Sequence, residues 1–166
     1  MKLELKHIAP YLPYGLTVKN ENGYNCKISN IIVEYSDLVC INEYGEDDTL
    51  HISDIKPILR PLTSIKWEEA RELLSIVVDD DVIGCIDIEA SALENKVKII
   101  SCTPYGEDKI VIDNYDSDIK AYYECYNGQI YSYPVTYQAF QYLLKNHFDI
   151  FGLIEAGLAI EKTEQL

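Results

Sequence analysis

Apolar and polar positions alternate in short bursts through the first 62 residues. Leu16–Lys19, Tyr24–Ile28, Ile31–Tyr35, Leu38–Ile41 and Thr49–Ile52 each read as a strand. Between them lie turn signals: Asn22-Gly23, Ser36-Asp37 and the run Tyr44-Gly45-Glu46-Asp47-Asp48. Strands of this length and spacing predict a small antiparallel β-barrel of the SH3-like kind. Lys56–Leu62 carries Pro57 and Pro61. Each lacks an N–H and biases its predecessor away from helix, which predicts an extended connector leaving the barrel.

The period changes at residue 65. Ala70, Leu73, Leu74 and Val77 recur at three- and four-residue intervals, predicting a helix over 65–77. Ser64 is its expected N-cap, and Glu68 and Glu69 suit the positive end of its dipole. Asp79-Asp80-Asp81 is expected to stop it. Strand patterns return at Val82–Ile88, Val97–Cys102, Ile110–Ile112, Ile119–Tyr126 and Gln129–Tyr133, the last two joined by a hairpin signal at Asn127-Gly128. Thr136 can cap a final helix from Tyr137 to about Phe148, with Phe140, Leu143, Leu144, His147 and Phe148 as its stripe. The reading is therefore an α+β chain in two parts. Residues 1–62 are strand-rich and barrel-like; 63–166 hold a helix, antiparallel strands and a C-terminal helix. Phe148, Ile150, Phe151, Leu153, Ile154, Leu158 and Ile160 crowd the tail. Left exposed they would form a patch that soluble proteins rarely carry, so the tail is expected to dock.

Charge sharpens the division. The chain carries a formal net charge of −14, of which −3 falls in residues 1–62 and −11 in 63–166. Binding to a phosphate backbone needs clustered Lys and Arg, so no duplex nucleic-acid partner is expected. Met1–Lys6 alternates charged and apolar residues with no apolar run for export, and no stretch reaches the roughly 20 residues a bilayer span needs. Neither secretion nor membrane insertion is expected.

Little points to catalysis. The five cysteines (Cys26, Cys40, Cys85, Cys102 and Cys125) are widely spaced, with no CxxC ligand pair, and are expected to be reduced, buried thiols. Asn114, Asp116 and Asp118 alternate like the first ligands of a calcium loop. The pattern then fails, with Ile119 where glycine belongs and Cys125 where glutamate belongs. His7, His51 and His147 are scattered. No phosphate loop, GxGxxG, GxSxG or HExxH is present. No cofactor, metal or catalytic residue is assigned. The 14 tyrosines are the unusual feature. Tyr122, Tyr123, Tyr126, Tyr131 and Tyr133 crowd the last two strands, as core packing or as a protein interface.

Three strings carry a resemblance: Lys6-His-Ile-Ala-Pro-Tyr-Leu-Pro-Tyr-Gly-Leu16, Lys56-Pro-Ile-Leu-Arg-Pro-Leu62, and the run from His147 to Lys162. Together they resemble a family of small uncharacterised phage and prophage proteins of gut Bacteroides and relatives. The resemblance covers the first 60 or so residues and the last 25. It implies a mobile-element origin and a bacterial cytoplasm, and it implies no site residues. The expected function is a non-catalytic binding or accessory protein acting through protein–protein contacts with an unknown protein. An acidic DNA-mimic inhibitor of a host nucleic-acid enzyme is the alternative, and a small hydrolase the third.

Overall fold

The computed structural model describes residues 1–78, 85–91, 96–103, 106–113, 120–126, 130–134 and 136–163. It is an α+β chain that divides into two compact units. The first comprises Met1–Pro61 with Leu144–Leu166, the second Leu62–Leu143. The C-terminal residues thus return to the first unit instead of staying with the expected 63–166 part.

The first unit opens with helical turns that the strand pattern missed. Leu5–Ile8 (α1) is followed by a 3-10 turn over Ala9–Tyr14. Pro10 and Pro13 fit there because their fixed φ suits helical turns. The strands are Thr17–Asn20 (β1), Asn25–Ile32 (β2), Asp37–Asn42 (β3), Asp47–His51 (β4) and Ile55–Leu59 (β5). Two expected strands, Tyr24–Ile28 and Ile31–Tyr35, are one strand here, interrupted by an irregularity between Ile28 and Asn30.

These strands, with Ile160–Glu161 as the last strand of the chain, form an open six-stranded sheet instead of a closed barrel. From one edge to the other it runs 160–161, β5, β1, β2, β3, β4. Residues 56–59 of the expected connector therefore belong to an inner strand. Pro57 stands opposite Val18, and the C-terminal strand pairs with β5 in parallel only from Ile58 onward. The missing N–H of Pro57 falls before that ladder begins. Val18, Cys26, Ile28, Leu38, Cys40, Ile55 and Leu59 are buried on one face. Tyr11, Ile8, Leu16, Phe148, Ile150 and Leu153 complete this core, each wholly buried.

The second unit begins with a 3-10 turn at Leu62–Ser64 and the helix Trp67–Val78 (α2). Ser64 is not the cap. Lys66 is, since Ala70 N–H donates to its carbonyl (2.9 Å) and Glu69 Oε2 accepts the Lys66 N–H (2.9 Å). That is the returning half of a capping box, which a glutamate three residues after the cap supplies whatever the cap residue is. Asp79–Asp81 lie outside the described residues. A five-stranded antiparallel meander follows: Cys85–Ser91 (β6), Lys96–Thr103 (β7), Gly106–Asp113 (β8), Lys120–Tyr126 (β9) and Ile130–Pro134 (β10). Val97, Ile99 and Ser101 are buried at alternate positions of β7, which α2 and the 62–64 turn contact. The 160–161 strand is β11.

The last helix, Tyr137–Lys145 (α3), starts as expected, with Thr136 Oγ1 accepting the Ala139 N–H (3.3 Å). It stops before the expected Phe148. His147 adopts a left-handed φ of 57°, and its N–H closes back on the Leu144 carbonyl (3.0 Å). Phe148 then bridges Arg60 in extended geometry.

Candidate functional site

The tail docks through one buried residue above all. Tyr11 Oη donates to the Phe148 carbonyl (2.6 Å) and accepts a longer bond from Ile150 N–H (3.4 Å). Asp149, 2% exposed, accepts N–H bonds from Leu153 (2.9 Å) and Ile154 (2.8 Å), which tie the following turn together. Burial pushes its carboxyl above the usual range, against those backbone bonds. His7 packs tilted on Phe151 with centroids 5.6 Å apart, and its Nδ1 accepts the Glu4 N–H (3.1 Å). Each of these groups is engaged in holding the segment.

The opposite face of the same sheet is different in kind. Strand alternation that sends Val18, Cys26, Ile55, Pro57 and Leu59 inward sends Thr17, Lys19, Lys27, Lys56 and Ile58 outward. Lys19 stands directly opposite Lys56, and Lys27 directly opposite Thr17. Opposed residues on antiparallel strands are about 4.5–5.5 Å apart at Cα, so two like charges face each other there, an unfavourable arrangement. Beyond Ile58, Arg60 lies 4.3 Å over the Phe148 ring. His147 donates from Nε2 to the Tyr14 carbonyl (3.0 Å). Burial holds His147 below the ordinary histidine value. The Tyr14 carbonyl opposes that shift, and the charges of Lys162, Lys27 and Arg60 add to it.

Gly15 permits the crowding. With φ of 68° it turns the chain into β1, and a Cβ there would run into the Lys27 side chain at Cε. The first unit has eight basic and 13 acidic residues, yet five of the eight (Lys19, Lys27, Lys56, Arg60 and Lys162) gather on this face. Among the described residues, none of the four lysines has a carboxylate within salt-bridge distance.

At the Asn20/Ile55 end the face opens into a cavity of about 540 Å³. Leu3, Ile52, Ile55, Leu158 and Ile160 give it an apolar lining. Lys2, Lys19 and Lys56 also line it, with Glu21 and Asp54 as the acidic members. Ser53 lines it too, its Oγ 2.7 Å from His51 Nδ1 and donating to Asp54 Oδ1 (2.6 Å), and among the described residues no group of three His, Cys, Asp or Glu could hold a metal ion. The Lys19–Lys56 pair and the apolar residues beside it can bind a ligand, and the Ser53–His51 contact sits on the exposed turn that precedes β5.

The tyrosines named from sequence lie in the second unit's ladder. Tyr123 stands between Ile110 and Tyr133 in register, in the row of the buried Ile99. Tyr131 falls in the row of buried Ser101, Tyr122 in that of Lys98 and Val111, and Tyr126 opposite Glu107 and Ile130. Adjacent rows alternate sides of a sheet, so these five residues do not form one cluster by register. Cys26 and Cys40 are free, buried thiols. Burial pushes Cys40 up to about 12 and Cys26 upward. Cys85 stands in register opposite Cys102. His51 accepts the Ser53 N–H (3.2 Å) at the exposed turn joining β4 to β5. Asn114, Asp116, Asp118 and Asn127-Gly128 lie outside the described residues.

Sequence reasoning placed Lys56 and Arg60 in an extended connector and did not bring them together with Lys19, Lys27 and Lys162. The signal was present in the alternation Lys56-x-Ile58-x-Arg60, which reads as a strand face once the prolines are allowed at a ladder's start. No family model, curated protein or solved structure matches this chain. No helix among the described residues is long and apolar enough to cross a membrane.

Proposed function

We propose that the chain is a non-catalytic binding or accessory protein working through protein–protein contacts, and that the outer sheet face of the first unit is its contact surface. The observation that carries this reading is the opposed Lys19–Lys56 pair beside an apolar-lined cavity. A pair that costs folding energy, with Glu21 and Asp54 in the same cavity lining but no carboxylate of the described residues within salt-bridge distance, is explained by a ligand that supplies the missing charge. Affinity capture from a bacterial lysate, compared between the wild type and a Lys19→Glu/Lys56→Glu variant by quantitative mass spectrometry, tests it. Proteins held by the wild type and lost from a folded variant support the reading, and identical captures overturn it.

The DNA-mimic alternative has less support. Mimicry needs carboxylates in rows at phosphate-like spacing. The second unit's register instead sets Lys98 beside Glu89, Lys109 opposite Glu124, and Asp113 between Lys96 and Lys120. A hydrolase would need polar groups converging on a cleft from separate elements; Ser53 in this lining bonds to His51 and Asp54 within one exposed turn, which gives that reading less support.

The finer fold reading belongs here too. The order β5, β1, β2, β3, β4, with one 3-10 turn between β4 and β5, supports an SH3-like connectivity opened at its edge and extended by β11. Phage or prophage origin and a bacterial cytoplasmic location rest on the three resembling strings. Sequencing of DNA packaged into induced phage particles tests that origin.

A further inference from the structure

We infer that the occupant of this face is an extended acidic segment of another protein, with acidic residues four apart and an apolar residue midway between them. The inference rests on the binding reading above and adds the chemistry of the partner. Along β5 the outward positions are Lys56 and Ile58, and Arg60 continues the alternation one residue past the strand's end, in its bridge to Phe148. Strand residues rise about 3.3 Å each, so the two cations lie about 13 Å apart with Ile58 halfway. A peptide in extended geometry repeats side chains on one side at that same spacing. An acid-x-apolar-x-acid segment therefore sets its carboxylates over Lys56 and Arg60 and its apolar side chain over Ile58.

The neighbouring strands widen the match. Ile160 pairs with Ile58 in register, and Lys162 follows two residues on, so β11 continues the alternation of apolar side chain and cation. Lys19 adds a second charge beside Lys56, and Lys27 a further one opposite Thr17 on the next strand. Ile58 and Ile160 are each partly exposed, which leaves apolar area for the ligand to cover. Arg60 is held over Phe148 and so presents its guanidinium with little freedom left to lose.

Charge complementarity selects a polypeptide over a nucleic acid. Single strands are bound by a basic groove combined with exposed aromatic side chains on which bases stack. The exposed aromatics of this unit, Tyr24, Tyr35 and Tyr44, stand singly at three separate hairpins and so form no stacking row along the lysines. The overall charge of −14 also repels a polyanion at distance, whereas a short acidic segment meets chiefly the local field.

The test uses the full chain and a fluorescein-labelled peptide, Glu-Thr-Val-Thr-Glu-Thr-Val-Thr-Glu, followed by fluorescence anisotropy. A peptide with lysine at every glutamate and a labelled oligothymidylate are titrated in parallel. The expected result is saturable binding of the acidic peptide that weakens several-fold as salt rises from about 50 to 300 mM. The lysine peptide and the oligonucleotide should not bind. Lys19→Glu/Lys56→Glu should weaken binding at least about tenfold, and so should Lys27→Glu/Lys162→Glu, with circular dichroism unchanged.

Absence of acidic-peptide binding, or binding that both variants retain, overturns the inference. So does preference for the oligonucleotide. Sedimentation of the protein alone showing self-association abolished by Lys19→Glu/Lys56→Glu would assign the face to a second copy of the chain, and overturns it as well. Failure here with a lysate capture that still depends on Lys19 and Lys56 would leave the binding surface standing and remove only the acidic partner.

Discussion

Replacing Tyr11 by Phe removes one oxygen from the wholly buried centre of the first unit. The ring stays, so its contacts with Phe151 (centroids 6.1 Å apart) and His147 (6.5 Å) are kept, and no methylene-sized cavity opens. What is lost is the 2.6 Å hydrogen bond to the Phe148 carbonyl and the long bond from Ile150 N–H. A buried carbonyl stripped of every donor would cost about 1–3 kcal/mol. Here the Ile150 N–H also donates to that carbonyl at 2.9 Å, so both backbone groups keep a partner. The cost should sit at the lower end, about 1–2 kcal/mol. Native-state hydrogen exchange reads it locally. Amides from Phe148 to Leu153 should exchange roughly 5–30-fold faster, at 1.4 kcal/mol per tenfold. Urea denaturation should show the same loss in midpoint with unchanged slope. Tyr11→Ala adds a ring-sized cavity and should cost about 3–5 kcal/mol. A Phe variant with unchanged exchange, or one as damaged as the Ala variant, would refute the claim that this hydroxyl clamps the tail.

Further outcomes follow from the same packing. Deleting residues 149–166 removes Ile150 and Leu153 from the core and should make the protein aggregate or melt lower; a soluble truncation with an unchanged melting curve contradicts docking. Lys56→Glu places opposite charges across from Lys19 and should stabilise the fold by about 0.2–1 kcal/mol while abolishing acidic-peptide binding, a trade that denaturation and anisotropy together would expose. His7 and His147 are held below the ordinary value of 6.5 by burial, so the unfolded chain binds more protons than the folded one just below that pH. Stability should therefore fall as pH drops through 6.5, and His147→Gln should flatten part of that slope in pH-resolved denaturation. Asp149 acts with the opposite sign: its carboxyl is raised above 3.8, and protonation on acidifying through the raised value relieves the burial cost. Native Cys26 and Cys40 should resist iodoacetamide at pH 8 and react after unfolding, as mapped by mass spectrometry.

The alternation and turn chemistry of the chain determined most of its local structure. Asn22-Gly23 and Tyr44-Gly45-Glu46 lie at turns between strands, Ala70, Leu73 and Leu74 form the buried stripe of α2, and Thr136 caps α3. These are legible because each depends on residues within a few positions of one another. The hydrophobic density of the tail likewise announced that it must be covered.

Tertiary structure decided what no local signal encodes. Lys56–Leu59 became an inner strand because β1 and β11 lie on either side of it, and β11 comes from more than 100 residues further along the chain. α3 ended at Lys145 because His147 and Phe148 are claimed by Arg60 and Tyr14. The sheet stayed open because its edges are β11 and β4, an outcome of pairing that strand lengths do not reveal. The cationic face is the sharpest case. Lys19, Lys27, Lys56, Arg60 and Lys162 are scattered over most of an acidic chain, where each reads as an ordinary solvated charge. Only the register of four strands brings them onto one surface, since pairing between distant segments is set by the global packing and not by the residues that flank each lysine.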